Sequence, residues 1–456
     1  MNIHLIAIGG AVMHNLAIVL ARMGHKVTGS DDAIHDPAKT NLEREGLLPC
    51  RLGFFEDNIT KDIDVVILGM HARSDNPELL AAQRMGLKIV SFPEYLYEIA
   101  KNKQRVVVAG SHGKTTTTAL IMHVLKHAGK EFDYLVGANV PGFETGVRLT
   151  ENAPLIIIEG DEYLASVIQP ESKFLFYKPH IAVITGIAWD HINVFPTFEE
   201  YSRQFKKFIS TIENNGTLIW CSEDEQLTQI SSQFRKDLKT LPYACPQYFV
   251  EDGKTFVTIG EKKIELKLIG RHNMLNMAAS YLVCKELGVE EETFAEALQS
   301  FEGAAGRLQK LFESEDYVVF KDFAHAPSKV KATLEALRTQ YPERRLIAVL
   351  ELHTYSSLNE KFLPEYRNTL KPADRAIIFL DKHAFEIKKM PMLREDYIIN
   401  AFNLRDITFC YEANKLLEEI SKEKSKDACM VLMSSGNFGG LSIHEIFKNE
   451  TFNVLK

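Results

Sequence analysis

The stretch RVVVAGSHGKTTTTALIMHVL, Arg105–Leu125, decides the fold of the central part of this chain. An apolar, β-branched run ends at Gly110, a Gly-Lys-Thr follows, and a helical pattern begins at once. Glycines let backbone N–H groups turn towards phosphate oxygens, and a helix N-terminus adds a positive dipole end. The stretch therefore predicts a strand, a phosphate-binding loop and a helix, with Lys114 directed to the outer phosphates and Thr115 to a Mg²⁺ ion.

The loop departs from the full G-x-x-x-x-G-K-[ST] pattern, because Val108 occupies the position of the first glycine. A chance Gly-Lys-Thr in a surface turn is the competing interpretation. The strand pattern before it and the helix pattern after it favour the phosphate loop.

Outside this stretch, short β-branched runs alternate with helical segments in three successive blocks. They include IHLIAIGG and DVVILGM in the first, PLIIIEGDE and IAVITGIAWDH in the second, and RLIAVLELH and CMVLMSSGN in the third. Such alternation is typical of parallel sheets covered by helices. We predict an α/β fold of three domains in series: an N-terminal Rossmann-like domain (1–102), a central P-loop ATPase-type parallel-sheet domain (103–303) and a C-terminal Rossmann-like domain (304–456). KNKQ (101–104) would link the first two, and GAAG (303–306) is a candidate hinge.

Composition limits the class of protein. A chain of 456 residues is too long for one typical core. A net charge of −8 argues against a general affinity for nucleic acid or anionic membranes. No apolar run approaches the roughly 20 residues that span a bilayer, and MNIHLIAIGG indicates a first strand rather than a signal peptide. The six cysteines form no C-x-x-C pair, which suits reduced thiols and gives no metal site. We expect a cytoplasmic protein that binds neither nucleic acid nor membrane.

Polar residues follow three strands of the central block. In parallel sheets, ligands bind outside the carboxyl ends of the strands. The phosphate loop, the segment Glu159–Glu162 and the pair Asp190-His191 would therefore share one crevice. Carboxylate oxygens suit Mg²⁺. The alternatives are a solvated acidic turn and a structural histidine.

Five ordered motifs carry a family resemblance. AGSHGKTTTT, EGDEY, WDH, GRHNMLNMAAS and KDFAHAP resemble, in this order, the motifs of the Mur ligases. These are ATP-dependent amide-forming enzymes of peptidoglycan assembly, with three α/β domains. The resemblance covers nearly the whole chain and implies ATP and Mg²⁺ as cofactors.

The resemblance also assigns residues. It implies Lys114, His191 and Arg307 as catalytic residues and Thr115, Glu159 and His191 as metal ligands. The expected nucleotide contacts are Gly110, Ser111, His112, Gly113, Lys114, Thr115, Thr116, His272, Asn273, Asn276, Arg307, Asp322 and His325. The i, i+3 spacing of the two asparagines would put both on one helical face. Helix capping by the asparagines and a surface charge at Arg307 are the competing interpretations.

The first block suggests a competing class, the NAD-dependent oxidoreductases. A strand, Gly9-Gly10, a helix and a strand ending in Ser30-Asp31-Asp32 are typical of dinucleotide-binding folds. The G-x-G-x-x-G fingerprint fails, however, because Ala11 and His14 stand at its glycine positions. In the Mur ligases this domain holds UDP, which implies Gly10, Ser30, Asp31, His71 and Arg73 as substrate contacts.

The N-terminal block is similar to the two family branches that load UDP-N-acetylmuramic acid. One adds L-alanine. The other, the murein peptide ligases, attaches the recycled tripeptide L-alanyl-γ-D-glutamyl-meso-diaminopimelate. EGDEY, SKFLFYKP (172–179), VLMSSGNFGG (431–440) and Val12 favour the recycling branch, so the tripeptide is the expected acceptor and L-alanine the alternative. Gly160, Leu164, Ala326 and the arginine-free LELHTYSSLN depart from the family pattern.

The resemblance implies a mechanism. The lactyl carboxylate would attack the γ-phosphate of ATP, and an amine would then displace phosphate from the acyl phosphate. A nucleotide-switch protein and a folate-glutamate ligase remain as alternatives. RHNMLN, Arg307 and DFAH argue against the switch, and the N-terminal block argues against the folate enzyme. A monomer or weak homodimer is expected.

Overall fold

The computed structural model describes residues 1–424, 427–441, 443 and 447. These residues form two compact units. The first comprises residues 1–187, 202–244 and 279–294, and the second comprises residues 188–201, 245–278 and the described residues from 295 onward. The last residues of the predicted third domain, 448–456, lie outside the described part.

The first unit begins with a four-stranded parallel sheet of strand order β2-β1-β3-β4. Its strands are β1 (Asn2–Ile6), β2 (Lys26–Ser30), β3 (Val65–Leu68) and β4 (Ile89–Ser91), and its helices are α1 (Ala11–Arg22), α2 (Ala38–Arg44), α3 (Pro77–Arg84) and α4 (Phe92–Ala100). Local sequence explains the start of α3, because the Asn76 side chain accepts hydrogen bonds from the N–H groups of Glu78 and Leu79 and Pro77 suits the first helical turn.

The same unit contains a seven-stranded sheet of order β13-β12-β11-β5-β8-β6-β7, parallel except for the pair β6–β7. The strands are β5 (Gln104–Ala109), β6 (Asp133–Leu135), β7 (Val147–Arg148), β8 (Leu155–Glu159), β9 (Leu164–Ser166), β10 (Gln169–Ser172), β11 (Ile181–Ile184), β12 (Thr217–Cys221) and β13 (Lys239–Tyr243), of which β9 and β10 pair separately. The helices that follow along the chain are α5 (Lys114–His127), α6 (Phe198–Ser210), α7 (Glu225–Ile230), α8 (Arg271–Glu286) and α9 (Glu291–Ser300), of which α6, α8 and α9 have residues in both units.

The second unit holds two sheets. Strands β14 (Tyr248–Glu251), β15 (Lys254–Ile259) and β16 (Lys262–Leu266) are antiparallel neighbours. The larger sheet has the order β17-β18-β22-β19-β20-β21 and is parallel except for β17. Its elements are β17 (Gln309–Glu313), β18 (Tyr317–Asp322), α10 (Pro327–Gln340), β19 (Arg345–Glu351), β20 (Arg375–Phe379), α11 (Lys382–Lys388), α12 (Glu395–Phe402), β21 (Ile407–Cys410), α13 (Ala413–Lys422) and β22 (Ala428–Met433).

The larger sheet of the second unit is buried on both faces. Along β19, Leu346, Ala348 and Leu350 pack into one apolar cluster, whereas Ile347 and Val349 pack into another. Successive side chains of a strand point to opposite faces, so two clusters on one strand mean a covered sheet. The predicted α/β class, with three successive and mostly parallel sheets, is therefore confirmed. The exact domain boundaries stay a prediction.

The segment predicted as a linker, 101–104, is fixed in the structure. The buried Arg105 guanidinium donates to the carbonyl oxygens of Ala100, Lys101 and Lys103 and to the Glu213 carboxylate. These bonds satisfy carbonyls at the end of α4, where a helix leaves its last carbonyls unpaired. Within the described residues, no helix combines the length and the apolar character needed to cross a membrane.

Candidate active site

The phosphate loop lies between β5 and α5, as predicted. Gly110 has φ +129°, and a Cβ there would lie 2.1 Å from Thr185 Oγ1. Gly113 has φ +77°. Both backbone conformations favour glycine. The Ser111 N–H donates to Gly186 O at 2.9 Å, so the loop is fixed against the carboxyl end of β11.

Lys114 is held by a buried carboxylate. Its Nζ donates to Glu162 Oε2 at 2.7 Å and to Gly110 O at 2.6 Å, and the Glu162 side chain is 1% exposed. Burial lowers the pKa of Lys114, but the carboxylates of Glu162, Asp161 and Glu159 together outweigh burial and raise it. The lysine is therefore cationic at neutral pH. Sequence reasoning placed Glu162 in the crevice but gave it no role, and nothing in the sequence separates it from Asp161 as the partner of Lys114.

Thr115 and Glu159, two predicted metal ligands, lie together. Thr115 Oγ1 donates to Glu159 Oε1 at 2.7 Å, and the Gly137 N–H donates to Glu159 Oε2 at 2.8 Å. A hydroxyl and a carboxylate at this spacing are hard oxygen donors that fit Mg²⁺, which typically takes one or two protein oxygens alongside phosphates and water. The third predicted ligand, His191, belongs to the second unit, and its part in a metal site stays a prediction.

The turn between β8 and β9 explains one departure from the family pattern. A Cβ at Gly160 would lie 2.8 Å from Val107 Cγ1, so the close packing of this turn on β5 requires glycine. Next to it, Lys173 Nζ pairs with Asp161 and lies 3.0 Å from Met70 Sδ. Lys173 comes from the segment SKFLFYKP and joins the turn to the end of β3. The structure gives no reason for Leu164, which begins β9, or for Ala326, which precedes α10.

The predicted substrate residues of the first sheet fall into two groups. Gly10 caps α1, and Asp31 accepts a hydrogen bond from the N–H of the adjacent Gly9 at 2.7 Å. The Ser30 hydroxyl instead donates to the fully buried Glu78, which also binds His4. The remaining two residues, His71 and Arg73, follow β3. His71 is exposed, and Arg73 Nε lies 3.1 Å from Asp75 Oδ1.

Ser30 is thus the exception among these residues. Because its side chain serves a buried network, a substrate contact would have to come from its backbone. Asp31 and Gly10 lie at the carboxyl edge of the sheet, where ligands of parallel sheets bind.

In the second unit, the segment RHNMLN begins α8. Asn276 Nδ2 donates to Asn273 Oδ1 at 3.2 Å, so both asparagines lie on one helical face, as predicted. Asn273 Nδ2 donates to Ile269 O at 2.9 Å, which is not the geometry of an N-cap, where the side chain accepts. Burial lowers the pKa of His272, opposed by the nearby Asp322 carboxylate.

The residues at the end of β18 gather around Phe323. The Arg307 guanidinium lies 4.2 Å from the Phe323 ring centroid, within the range of cation–π attraction. Asp322 accepts hydrogen bonds from the Leu308 N–H and the Thr333 hydroxyl. His325 Nδ1 lies 2.8 Å from Phe323 O. The structure therefore brings Arg307, Asp322 and His325 into one region.

Asp190 is the centre of a buried charge cluster. Its carboxylate lies 3.4 Å from Lys329 Nζ, 3.8 Å from His191 Nδ1 and 4.0 Å from His325 Nε2. Burial raises the pKa of Asp190, but His191, Lys329 and His325 together hold it well below its usual range. Burial lowers the pKa of His325 to about 3. His191 has φ +59°, and its N–H donates to Asp190 Oδ1 at 2.8 Å. Sequence reasoning missed Lys329, which lies on a helix with no motif of its own.

A phosphate loop whose lysine and threonine meet two carboxylates, at the carboxyl edge of a parallel sheet, defines a nucleoside-triphosphate-using enzyme. Family models match the chain almost end to end: "Mur ligase family, catalytic domain" over residues 2–104, "Mur ligase middle domain" over 108–284 and "Mur ligase, glutamate ligase domain" over 306–436. The chain therefore belongs to the Mur ligase family. It is an ATP-dependent ligase that forms carbon–nitrogen bonds.

The chain is similar to members of both predicted branches. The UDP-N-acetylmuramate–L-alanine ligase of Carboxydothermus hydrogenoformans is 32% identical over 387 residues, which cover 82% of this chain and 81% of that protein. The UDP-N-acetylmuramate–alanine ligase structure from Thermotoga maritima has a TM-score of 0.75 at 22% identity, with full coverage of both chains. The UDP-N-acetylmuramate:L-alanyl-γ-D-glutamyl-meso-diaminopimelate ligase of Neisseria meningitides has a TM-score of 0.60 at 28% identity, covering 66% of this chain and 98% of that one. The Carboxydothermus relative, at 32% identity over most of both chains, supports the L-alanine alternative better than the recycling branch that the sequence motifs favour.

Proposed function

We propose that this enzyme joins the lactyl carboxylate of UDP-N-acetylmuramic acid to the amino group of an acceptor, with ATP as the energy source. A carboxylate and an amine do not condense in water, because the carboxylate has no leaving group. Transfer of the γ-phosphoryl group of ATP to a carboxylate oxygen supplies one and releases ADP. Attack by the amine on the acyl phosphate then forms the amide and releases phosphate.

The observation that carries this proposal is the arrangement of Lys114 and Thr115 against two buried or half-buried carboxylates. Phosphoryl transfer asks the protein mainly for positioning and charge neutralisation. Lys114, cationic beside Glu162 at 2.7 Å, would move to the outer phosphates. Thr115 and Glu159 would hold Mg²⁺, which neutralises the phosphate charge.

Residues of the second unit and of the first sheet also receive roles in this proposal. By the family resemblance, His191 would bind a second Mg²⁺ near the reacting carboxylate. His272, Asn273 and Asn276 would contact adenine, Asp322 and His325 the ribose and phosphates, and Arg307 the γ-phosphate. Gly10, Asp31, His71 and Arg73 in the first sheet would contact the UDP group. We propose residues 1–102, 103–303 and 304–456 as the UDP, ATP and acceptor domains.

L-alanine is the first candidate acceptor, because relatives that span more than four-fifths of this chain are named for it. The tripeptide is the second. The segment SKFLFYKP favours it by its likeness to the murein peptide ligases, and Lys173 of this segment is buried in contact with Asp161 and Met70.

The test is phosphate release with ATP, Mg²⁺ and UDP-N-acetylmuramic acid, comparing L-alanine with the tripeptide at equal concentrations. Faster release with L-alanine, with the product mass confirmed, assigns the biosynthetic reaction. Faster release with the tripeptide assigns the recycling reaction. If neither acceptor stimulates release above the acceptor-free rate, the proposed substrate is wrong.

A further inference from the structure

Strand β19 ends in a buried carboxylate with an unused oxygen. The Glu351 side chain is 0% exposed. Its Oε2 accepts hydrogen bonds from the Ser434 hydroxyl and from the Phe438 N–H, the latter at 3.0 Å. Its Oε1 has no hydrogen-bond partner among the described residues. A buried carboxylate oxygen without a donor is costly, so this oxygen calls for a functional explanation.

The atom that faces this oxygen is a histidine nitrogen. His353 Nδ1 lies 3.6 Å from Glu351 Oε1, and within the described residues Nδ1 is buried and makes no hydrogen bond. The His353 side chain as a whole is 31% exposed. The exposed area therefore lies on atoms other than Nδ1, and Nε2 is the other ring nitrogen that could meet a substrate. A small shift closes the Nδ1 contact, and catalytic hydrogen bonds are often this long before substrate binds.

The backbone of the segment after β22 passes close to Glu351 and His353. A Cβ at Gly436 would lie 2.8 Å from Glu351 Oε2 and 2.9 Å from His353 Nδ1. The Gly436 N–H donates to Ser434 Oγ at 2.6 Å. A side chain at position 436 would displace Glu351 and His353, so glycine at this position lets the backbone pass close to both residues.

The loop that carries His353 is fastened to the segment of His191. Within the second unit, the Ile192 N–H donates to Ser356 Oγ at 3.4 Å, and the rings of Trp189 and Phe362 meet edge to face at 5.7 Å. His353 thus sits on a loop bonded directly to the neighbour of the proposed metal ligand. It lies in LELHTYSSLN, the segment that lacks the arginine of the family pattern.

We propose that Glu351 and His353 form a dyad in which Glu351 orients the imidazole through Nδ1–H and His353 Nε2 accepts the proton of the acceptor's ammonium group. The inference rests on the proposed function and names the group that activates its second substrate. A peptide α-amino group has a pKa near 7.7–8.0, and the amino group of a free amino acid such as L-alanine is more basic still. At neutral pH the amino group of either candidate acceptor is therefore mostly protonated, and its nitrogen has no free lone pair.

The first ammonium proton passes to Nε2 and from there to solvent, leaving a neutral amine. The amine nitrogen attacks the acyl carbon, the carbon–oxygen bond to phosphate breaks, and the leaving phosphate takes the second proton as the amide forms. Glu351 is a positioning residue, since it acts on the amine only through the imidazole, in the arrangement by which a buried carboxylate fixes a histidine base.

The charges around His353 are compatible with a base. Burial lowers the pKa of His353, and Lys388 of α11 lowers it further, whereas Glu351 and Asp381 raise it. The net direction is downward, so the imidazole is neutral at pH 7 and able to take a proton. The facing segment 434–438 adds hydroxyl groups and backbone but no titratable side chain.

The test separates acyl-phosphate formation from amine attack. His353→Gln, Glu351→Gln and the control His383→Gln, an exposed histidine on α11, are compared with the unmodified enzyme. Each is assayed with ATP, Mg²⁺ and UDP-N-acetylmuramic acid, and either the acceptor or hydroxylamine. Hydroxylamine is largely unprotonated at pH 7, so it traps the acyl phosphate as a hydroxamate without needing a base.

We expect His353→Gln to lower acceptor-dependent amide formation about 100-fold at pH 7, within the usual range of general-base catalysis. Its deficit should shrink below about ten-fold at pH 9, where more of the acceptor is already neutral. Hydroxamate formation should stay within about three-fold of the unmodified enzyme, and Glu351→Gln should show the same pattern with a smaller deficit.

Two results overturn the dyad. One is a pH-independent loss in His353→Gln, and the other is an equal loss of hydroxamate and amide. Absence of hydroxamate from the unmodified enzyme would instead overturn the proposed function, and the dyad with it.

Discussion

At the scale of single residues, Lys114 has the most direct consequence for activity. Lys114→Met should lower turnover about 10³-fold or more, because no other side chain of the loop neutralises the transferring phosphoryl group. Lys126→Met, on the exposed end of the same helix, should leave turnover unchanged. Phosphate release under saturating ATP measures both. Near-normal turnover in Lys114→Met would refute the phosphate-loop assignment.

His325 makes the stability of the second unit depend on pH. Its folded-state pKa is lowered to about 3, below the ordinary value of about 6.5. At pH values between these two pKa values, the histidine is protonated in the unfolded chain and neutral in the folded chain. The free energy of unfolding therefore falls as the pH falls, by up to about 1.4 kcal/mol per pH unit. The charged groups facing His325 are Asp190, Lys329 and His191.

Urea unfolding at pH 5 and pH 7 checks this dependence. The loss of unfolding free energy between the two pH values should be smaller in His325→Gln than in the unmodified protein. His383→Gln, whose histidine is exposed, should keep the full loss. Parallel pH curves for all three proteins would contradict the assignment.

At the scale of secondary-structure elements, the junction of β5 and α5 depends on Gly110. Gly110→Ala places a Cβ against Thr185 Oγ1 in a backbone conformation that suits glycine, and should destabilise the protein by at least about 2 kcal/mol. Gly129→Ala is the matched control, since this glycine ends the same helix at φ +65° with open space around its Cβ position. It should cost only about 1 kcal/mol. Equal losses of unfolding free energy would refute the close-contact argument.

Elements with continuous apolar runs could be predicted from sequence, and others could not. VVILGM, LIIIE and IAVI are strands because a parallel sheet buried on both faces needs such runs. The hairpins β9–β10 and β14–β16 are half exposed and carry charged residues, so their pattern resembles loops. The phosphate loop and the asparagine pair of α8 could be predicted because spacing along the chain fixes their geometry. The contacts of Lys114 with Glu162, of Asp190 with Lys329 and of Glu351 with Ser434 could not, because folding brings these residues together from 48 to 139 positions apart.

At the scale of the whole molecule, the residues that the family resemblance assigns to the nucleotide are divided between the two compact units. The phosphate loop belongs to the first unit, and Arg307 belongs to the second. If Arg307 acts on the γ-phosphate, as the resemblance implies, Arg307→Ala should lower turnover about 10²-fold or more while ATP binding stays near normal.

Isothermal titration with ATP and a steady-state assay together test this separation. Arg367→Ala, an exposed arginine of the same unit, serves as the control and should change neither quantity. Equal losses of affinity and turnover in Arg307→Ala would place Arg307 in ground-state nucleotide binding instead.

The ion pair between Lys114 and Glu162 means that the phosphate loop carries its own internal counter-ion. Any anion that enters must compete with a carboxylate already held at 2.7 Å, and an intramolecular competitor acts at a high effective concentration. A weak, singly bound anion such as inorganic phosphate should therefore displace the carboxylate less readily than a triphosphate with many contacts. The ion pair should therefore weaken the binding of other anions to the loop, including the phosphate that the proposed reaction releases.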